Sequence, residues 1–194
     1  MKRWVIGTIT GVLIGVGTYS VIQFMFSRAH VPSEFSEARI KGAELAKKIV
    51  DLSNESLGSL ETIAAYDRTG KKSEALILIS KEVLKNRDAQ GEAIQLSSQL
   101  ERMARTINDI NPTKARVIAT EAVSSEVALV SRLLSYDDYL LRLFEALRDK
   151  FQNPSFYTNG KVQELVGKIN EEAQAINTFN YRFSESLAEF DKLF

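Results

Sequence analysis

The chain has 194 residues, with 25 basic and 25 acidic side chains, one histidine and no cysteine. The missing cysteine excludes disulfides, thiolate metal sites and cysteine nucleophiles, and the even charge offers no basic face to nucleic acid. Prolines occur only at 32, 112 and 154, and apolar residues recur at steps of three and four, so the chain is predicted to be all-α.

The first predicted element covers residues 4–26, an uncharged stretch that opens at Trp4 and closes at Phe26. At ~1.5 Å per residue a helix of this length reaches roughly 34 Å, enough for a hydrocarbon core of about 30 Å. Lys2 and Arg3 flank it on one side and Arg28 on the other, with Trp4 and Tyr19 placed for interfacial depth. We read it as an N-terminal single transmembrane helix. A cleaved signal peptide competes, since Ser27 and Ala29 are small, but a signal peptide's apolar region runs only about 7–15 residues. The short cationic tail is hard to translocate, so the N-terminus is expected in the cytoplasm and the rest of the chain on the extracytoplasmic side. Gly7, Gly11 and Gly15 form a stripe of small residues that lets two transmembrane helices approach closely. The expected partners are therefore the lipid bilayer and a second protein, or a second copy, packed through the anchor.

The domains are read as 1–28, tail plus span, and 29–194, a helical-bundle domain. Lys2, Arg3 and Arg28 are the only charged residues in the first 28, so the remainder holds 22 basic and 25 acidic side chains. That balance supports neither a polybasic membrane clamp nor nucleic-acid binding.

The first soluble helix is predicted to start at Pro32-Ser33-Glu34, with Ser33 as its cap. Its apolar seam runs Phe35, Ala38, Gly42, Leu45, Ile49, Leu52, Ser56, Ile63 and Tyr66, with a weak or bent region around the polar residues before Gly58. Asp67-Arg68-Thr69-Gly70 is the first turn, with Gly70 able to adopt the left-handed conformation. The second helix is expected to reach about Asn111 through Ala75, Ile79, a polar gap at Lys85-Asn86-Arg87-Asp88, then Ala89, Ala93, Leu96, Leu100, Met103, Ile107 and Ile110. Asn111 as N-cap and Pro112 as first residue should start the third helix.

The third helix carries two adjacent apolar seams, one through Ala119, Ala122, Leu129, Leu133, Tyr136 and Leu140, the other through Val123, Val127, Val130, Leu134, Leu141 and Phe144. A stripe that wide needs more than one neighbour, which puts this helix at the centre of the core. Breakers at Asn153-Pro154 and Asn159-Gly160 mark the third connection, and Phe156-Tyr157 within it either caps the bundle end or faces a protein partner. The last helix has heptad spacing through Val162, Val166, Ile169, Ala173, Ile176, Asn180, Phe183, Leu187, Phe190 and Phe194. Long helices with short connections predict an antiparallel up-down four-helix bundle behind the transmembrane helix.

No phosphate loop, nucleophile elbow or zinc motif is present. A lone histidine, His30, excludes a di-iron bundle, and His30 reads as solvated. Asp137-Asp138 and Glu171-Glu172 point about 100° apart within a helix and read as solvated faces. No catalytic residue, cofactor or metal site is expected. Two functions fit: a non-enzymatic anchored scaffold or protein-interaction module, and a sensory or ligand-binding bundle that signals through a partner membrane chain.

Overall fold

A computed structural model describes residues 30–153 and 159–194. It contains α1 (Ser33–Thr69), α2 (Lys72–Thr106), a 3-10 turn (Ile107–Asp109), α3 (Thr113–Gln152) and α4 (Asn159–Asp191), and no strand among the described residues. The expected all-α bundle of long helices is observed. None of the described helices is long and apolar enough to cross a membrane. The predicted span 4–26, with Gly7, Gly11 and Gly15, lies outside the described residues, as do Phe156 and Tyr157.

Cross-helix contacts fix the directions. Lys48 pairs with Glu92 and Lys85 with Glu55, so α1 and α2 are antiparallel. Lys114 meets Glu189, and Arg132 meets Glu172, so α3 and α4 are antiparallel too. His30 and Asn111 exchange backbone hydrogen bonds of 3.2 Å beside the starts of α1 and α3. Lys150 binds Asp67 at their far ends, so α1 and α3 run parallel and in step. The order is up-down-up-down. One end holds His30, Asn111 and the close of α4; the other holds the turn at Gly70 and the end of α3.

At the first end α4 closes onto α1. Phe190 packs on Phe35 with ring centroids 5.7 Å apart, and Phe194 on Phe190 at 4.9 Å. Arg39 donates two hydrogen bonds, 2.7 and 2.8 Å, to the Asp191 carboxylate. The turn at Gly70 is as expected. Its φ of 73° lies in the left-handed region, and Lys71 N–H reaches back to Tyr66 O at 2.9 Å, which satisfies a carbonyl at the helix end.

The core comprises the predicted seams, with Ile49, Ile63, Ile79, Leu96, Leu133, Tyr136, Leu140 and Phe144 nearly inaccessible. Several expectations are corrected. Pro32 occupies the cap position of α1, and Ser33 makes no capping bond. Pro112, not Asn111, caps α3, because Asn111 is engaged by His30. α2 ends at Thr106 and tightens into a 3-10 turn before Asn111. As expected, α1 is continuous through Gly58 and α2 through the polar gap. The α1 seam passes through Ser53 and Leu60 while Leu52 is half-buried, and Val127 of α3 is 53 % exposed. The α4 heptad is buried at Val162, Ile169, Ala173 and Ile176, half-buried at Val166, Asn180, Phe183 and Leu187, and buried again at Phe190.

Candidate functional site

The chemistry-bearing side chains of the core gather in a polar band across the bundle. On α1, Ser53 and Ser56 replace large apolar residues for one turn, both 2 % exposed. Ser53 turns its hydroxyl back to Ile49 O at 2.9 Å. Ser56 donates to one oxygen of Glu82 at 2.7 Å, Ser59 donates to the other at 2.9 Å, and Lys85 reaches that second oxygen at 2.9 Å. Lys85 also pairs with Glu55 at 3.1 Å. Burial works against the Lys85 charge, but hydrogen bonds and charge from Glu82 and Glu55 outweigh it, and its pKa is raised. Glu82, 1 % exposed, is thus a fully engaged buried carboxylate.

Elsewhere in the band, polar groups of α3 and α2 are buried without partners among the described residues. The in-step pairing of α1 and α3 brings Asp137 level with the Ser53 to Ser56 turn. Asp137 is 1 % exposed, and neither carboxylate oxygen has a hydrogen-bond partner among the described residues. Burial pushes its pKa up to about 7. Tyr136 Oη and Asn86 Oδ1 are likewise buried and unpartnered among the described residues. The Tyr136 pKa is raised, chiefly by burial and further by the Asp137 charge. Glu126, 4 % exposed, lies three turns before Asp137, and burial alone pushes its pKa up to about 7. The expectation that Asp137 sits on a solvated face is therefore corrected, while Asp138 faces outward and binds Arg142 at 2.9 Å.

These carboxylates do not converge. Eleven positions separate Glu126 from Asp137, a rise of about 16 Å along a helix, too far to share a proton or a substrate atom. No group of three or more metal-ligating side chains is found among the described residues. A recess of about 220 Å³ opens between α2 and α3, lined by Ser97, Leu100, Glu101, Ala104, Val127 and Val130. Its one ionisable lining residue is Glu101. His30 is exposed, as expected. Glu172 is drawn toward Arg132 while Glu171 is exposed. Exposed apolar side chains occur on every helix, including Ile40, Ile77, Val117 and Tyr181, and single out no face.

The sequence reading missed Glu82, Glu126 and Asp137 because charged residues are normally placed outside. The available signal was positional. Glu82 and Asn86 stand at seam spacing between Ile79 and Ala89, and Asp137 continues the second α3 seam between Leu134 and Leu141. No protein-family model, curated protein or solved structure matches the chain.

Proposed function

We propose that this chain is a non-enzymatic, single-pass membrane-anchored helical bundle that serves as a scaffold or protein-interaction module at the membrane. The N-terminus lies in the cytoplasm and the bundle on the extracytoplasmic side. The observation that carries the reading is the junction between span and bundle. Only Ser27, Arg28 and Ala29 separate the uncharged 4–26 stretch from His30, whose backbone is bonded to Asn111. On this reading the His30–Asn111 end would lie beside the membrane and the Gly70 end away from it. Glu82 is tied up by Ser56, Ser59 and Lys85, and Glu126 and Asp137 stand about three helical turns apart, an arrangement that supports a non-enzymatic role.

Gly7, Gly11 and Gly15 supply the packing face of the anchor, for a second copy or a membrane partner. At the far end, Phe156 and Tyr157 lie in the connection that follows α3 and are the proposed contact for a protein partner, since interfaces draw strong contacts from aromatics. The test is fractionation of the full chain: it should stay with membranes through carbonate and high salt. Release, or a mature N-terminus at His30, rejects the anchor. Replacing Gly11 by Ile should weaken anchor association in a membrane reporter. Replacing Phe156 and Tyr157 by Ser should remove co-purifying chains without unfolding the bundle. The second reading, a sensory bundle signalling through a partner chain, gains support from the buried ionisable groups Asp137 and Glu126.

A further inference from the structure

We propose that Asp137 is a proton-controlled lock: neutral, it lets α2, α3 and α4 close around the polar band, and ionised, it loosens that packing. An ionised carboxylate only accepts, and both Asp137 oxygens are buried with no donor among the described residues. The buried oxygens at its level, Asn86 Oδ1 and Tyr136 Oη, are unpartnered in the same way. A proton on Asp137 converts one acceptor into a donor and removes a buried charge, so the neutral form fits the closed bundle.

The charged groups around it do not compensate. On α1, Glu55 points outward to Lys85. On α2, Glu82 and Lys85 bind each other, and Asp88 is exposed. On α4, the Arg132–Glu172 contact brings Lys168 level with Asp137, but Lys168 lies over the Tyr139 ring at 5.5 Å. On α3 itself, Asp138 is held by Arg142, and Glu126 is three turns away. Among the described residues no cation pairs with Asp137, and burial is the cause of its shift to about 7.

The sign follows from linkage. The folded group keeps its proton up to about 7, whereas in the unfolded chain it loses it near the ordinary aspartate value of 3.8. The folded state therefore binds more protons between those values, and stability falls as pH rises through that window. The fall is at most roughly tenfold in the folding equilibrium per pH unit, and it levels off above the folded pKa. This pH dependence does not rely on the anchor.

The experiment uses the full chain in detergent micelles. Infrared difference spectra with carboxyl-labelled Asp should show a protonated aspartic acid near pH 6 that ionises around neutral pH. The band should be absent in Asp137→Asn and retained in Glu126→Gln. Hydrogen exchange in α2 and α3, corrected for its intrinsic pH dependence, should rise between pH 6 and 8 in the parent and stay level in Asp137→Asn. Titration of Asp137 in the ordinary carboxylate range overturns the proposal, and so does corrected exchange that does not change with pH. If Asp137→Asn does not fold, the parent and Glu126→Gln spectra still decide whether a buried aspartic acid holds its proton.

Discussion

Ser56 of α1 and Glu82 of α2 meet at 2.7 Å inside the bundle, with 2 % and 1 % of their surfaces exposed. The serine removes bulk from the α1 seam where the glutamate needs room, and Ser59 and Lys85 complete its shell. Breaking a buried charge network by removing one partner costs about 3–5 kcal/mol, because the other groups stay buried and unpaired. Glu82→Ala should lie in that range by denaturant titration. Glu82→Gln keeps an acceptor for Ser56 and should lose less. Equal losses in the two variants would show that the hydroxyls do not depend on Glu82.

The clasp of α4 onto α1 combines a two-bond ion pair with an aromatic contact. Arg39 and Asp191 are 18 % and 32 % exposed, so their coupling in a double-mutant cycle should be modest, about 1 kcal/mol. Phe190 is 1 % exposed between Phe35 and Phe194, and Phe190→Ala should cost about 3–5 kcal/mol. Thermal unfolding of Arg39→Ala, Asp191→Ala, their double variant and Phe190→Ala checks the order. A larger loss from Asp191→Ala than from Phe190→Ala would contradict it.

Two glycines should respond with opposite sign. Gly70 holds φ 73°, so Gly70→Ala strains the turn and should destabilise by about 1 kcal/mol. Gly58 is helical, and a Cβ built there meets nothing within 4 Å. Gly58→Ala should therefore stabilise by roughly 0.5–1 kcal/mol. Midpoint shifts in the same direction would refute the assignment of α1 through Gly58.

Glu126 is buried, and burial pushes its pKa up to about 7 from 4.5. Stability is lost as pH rises between those values, because the folded state holds the proton longer. Glu126→Gln should leave stability near pH 4 almost unchanged and raise it at pH 8, on the order of 2–3 kcal/mol. Parallel melting curves of parent and variant from pH 4 to 8 test this. A constant offset between them at every pH would mean that Glu126 does not titrate in that window.

The helices and most of their inward faces were legible because apolar spacing and burial share one cause. Phe35, Ile49, Leu96, Leu133 and Ile169 are where three- and four-residue steps put them, and Gly70 turns the chain for a backbone reason visible in one residue. The polar band was not legible. Periodicity scores Glu82 and Asp137 as interruptions, and only the packed structure shows α1 supplying Ser56 and Ser59 to Glu82 while Asp137 has no donor among the described residues. The cap at Asn111 failed for a related reason: its backbone was already committed to His30, a partner far away in sequence. The proposed anchor and tip residues rest on the sequence, since they fall outside the described residues.

The most direct test of the anchored, outward-facing bundle uses the absence of native cysteine. A single Ser73→Cys at the exposed start of α2 places one thiol at the Gly70 end. Intact cells carrying the full chain are treated with a membrane-impermeant maleimide, and their membranes are then washed with carbonate. The account predicts labelling before lysis, with the labelled chain retained in the membrane pellet. Labelling only after lysis, or a labelled chain in the carbonate supernatant, would contradict it.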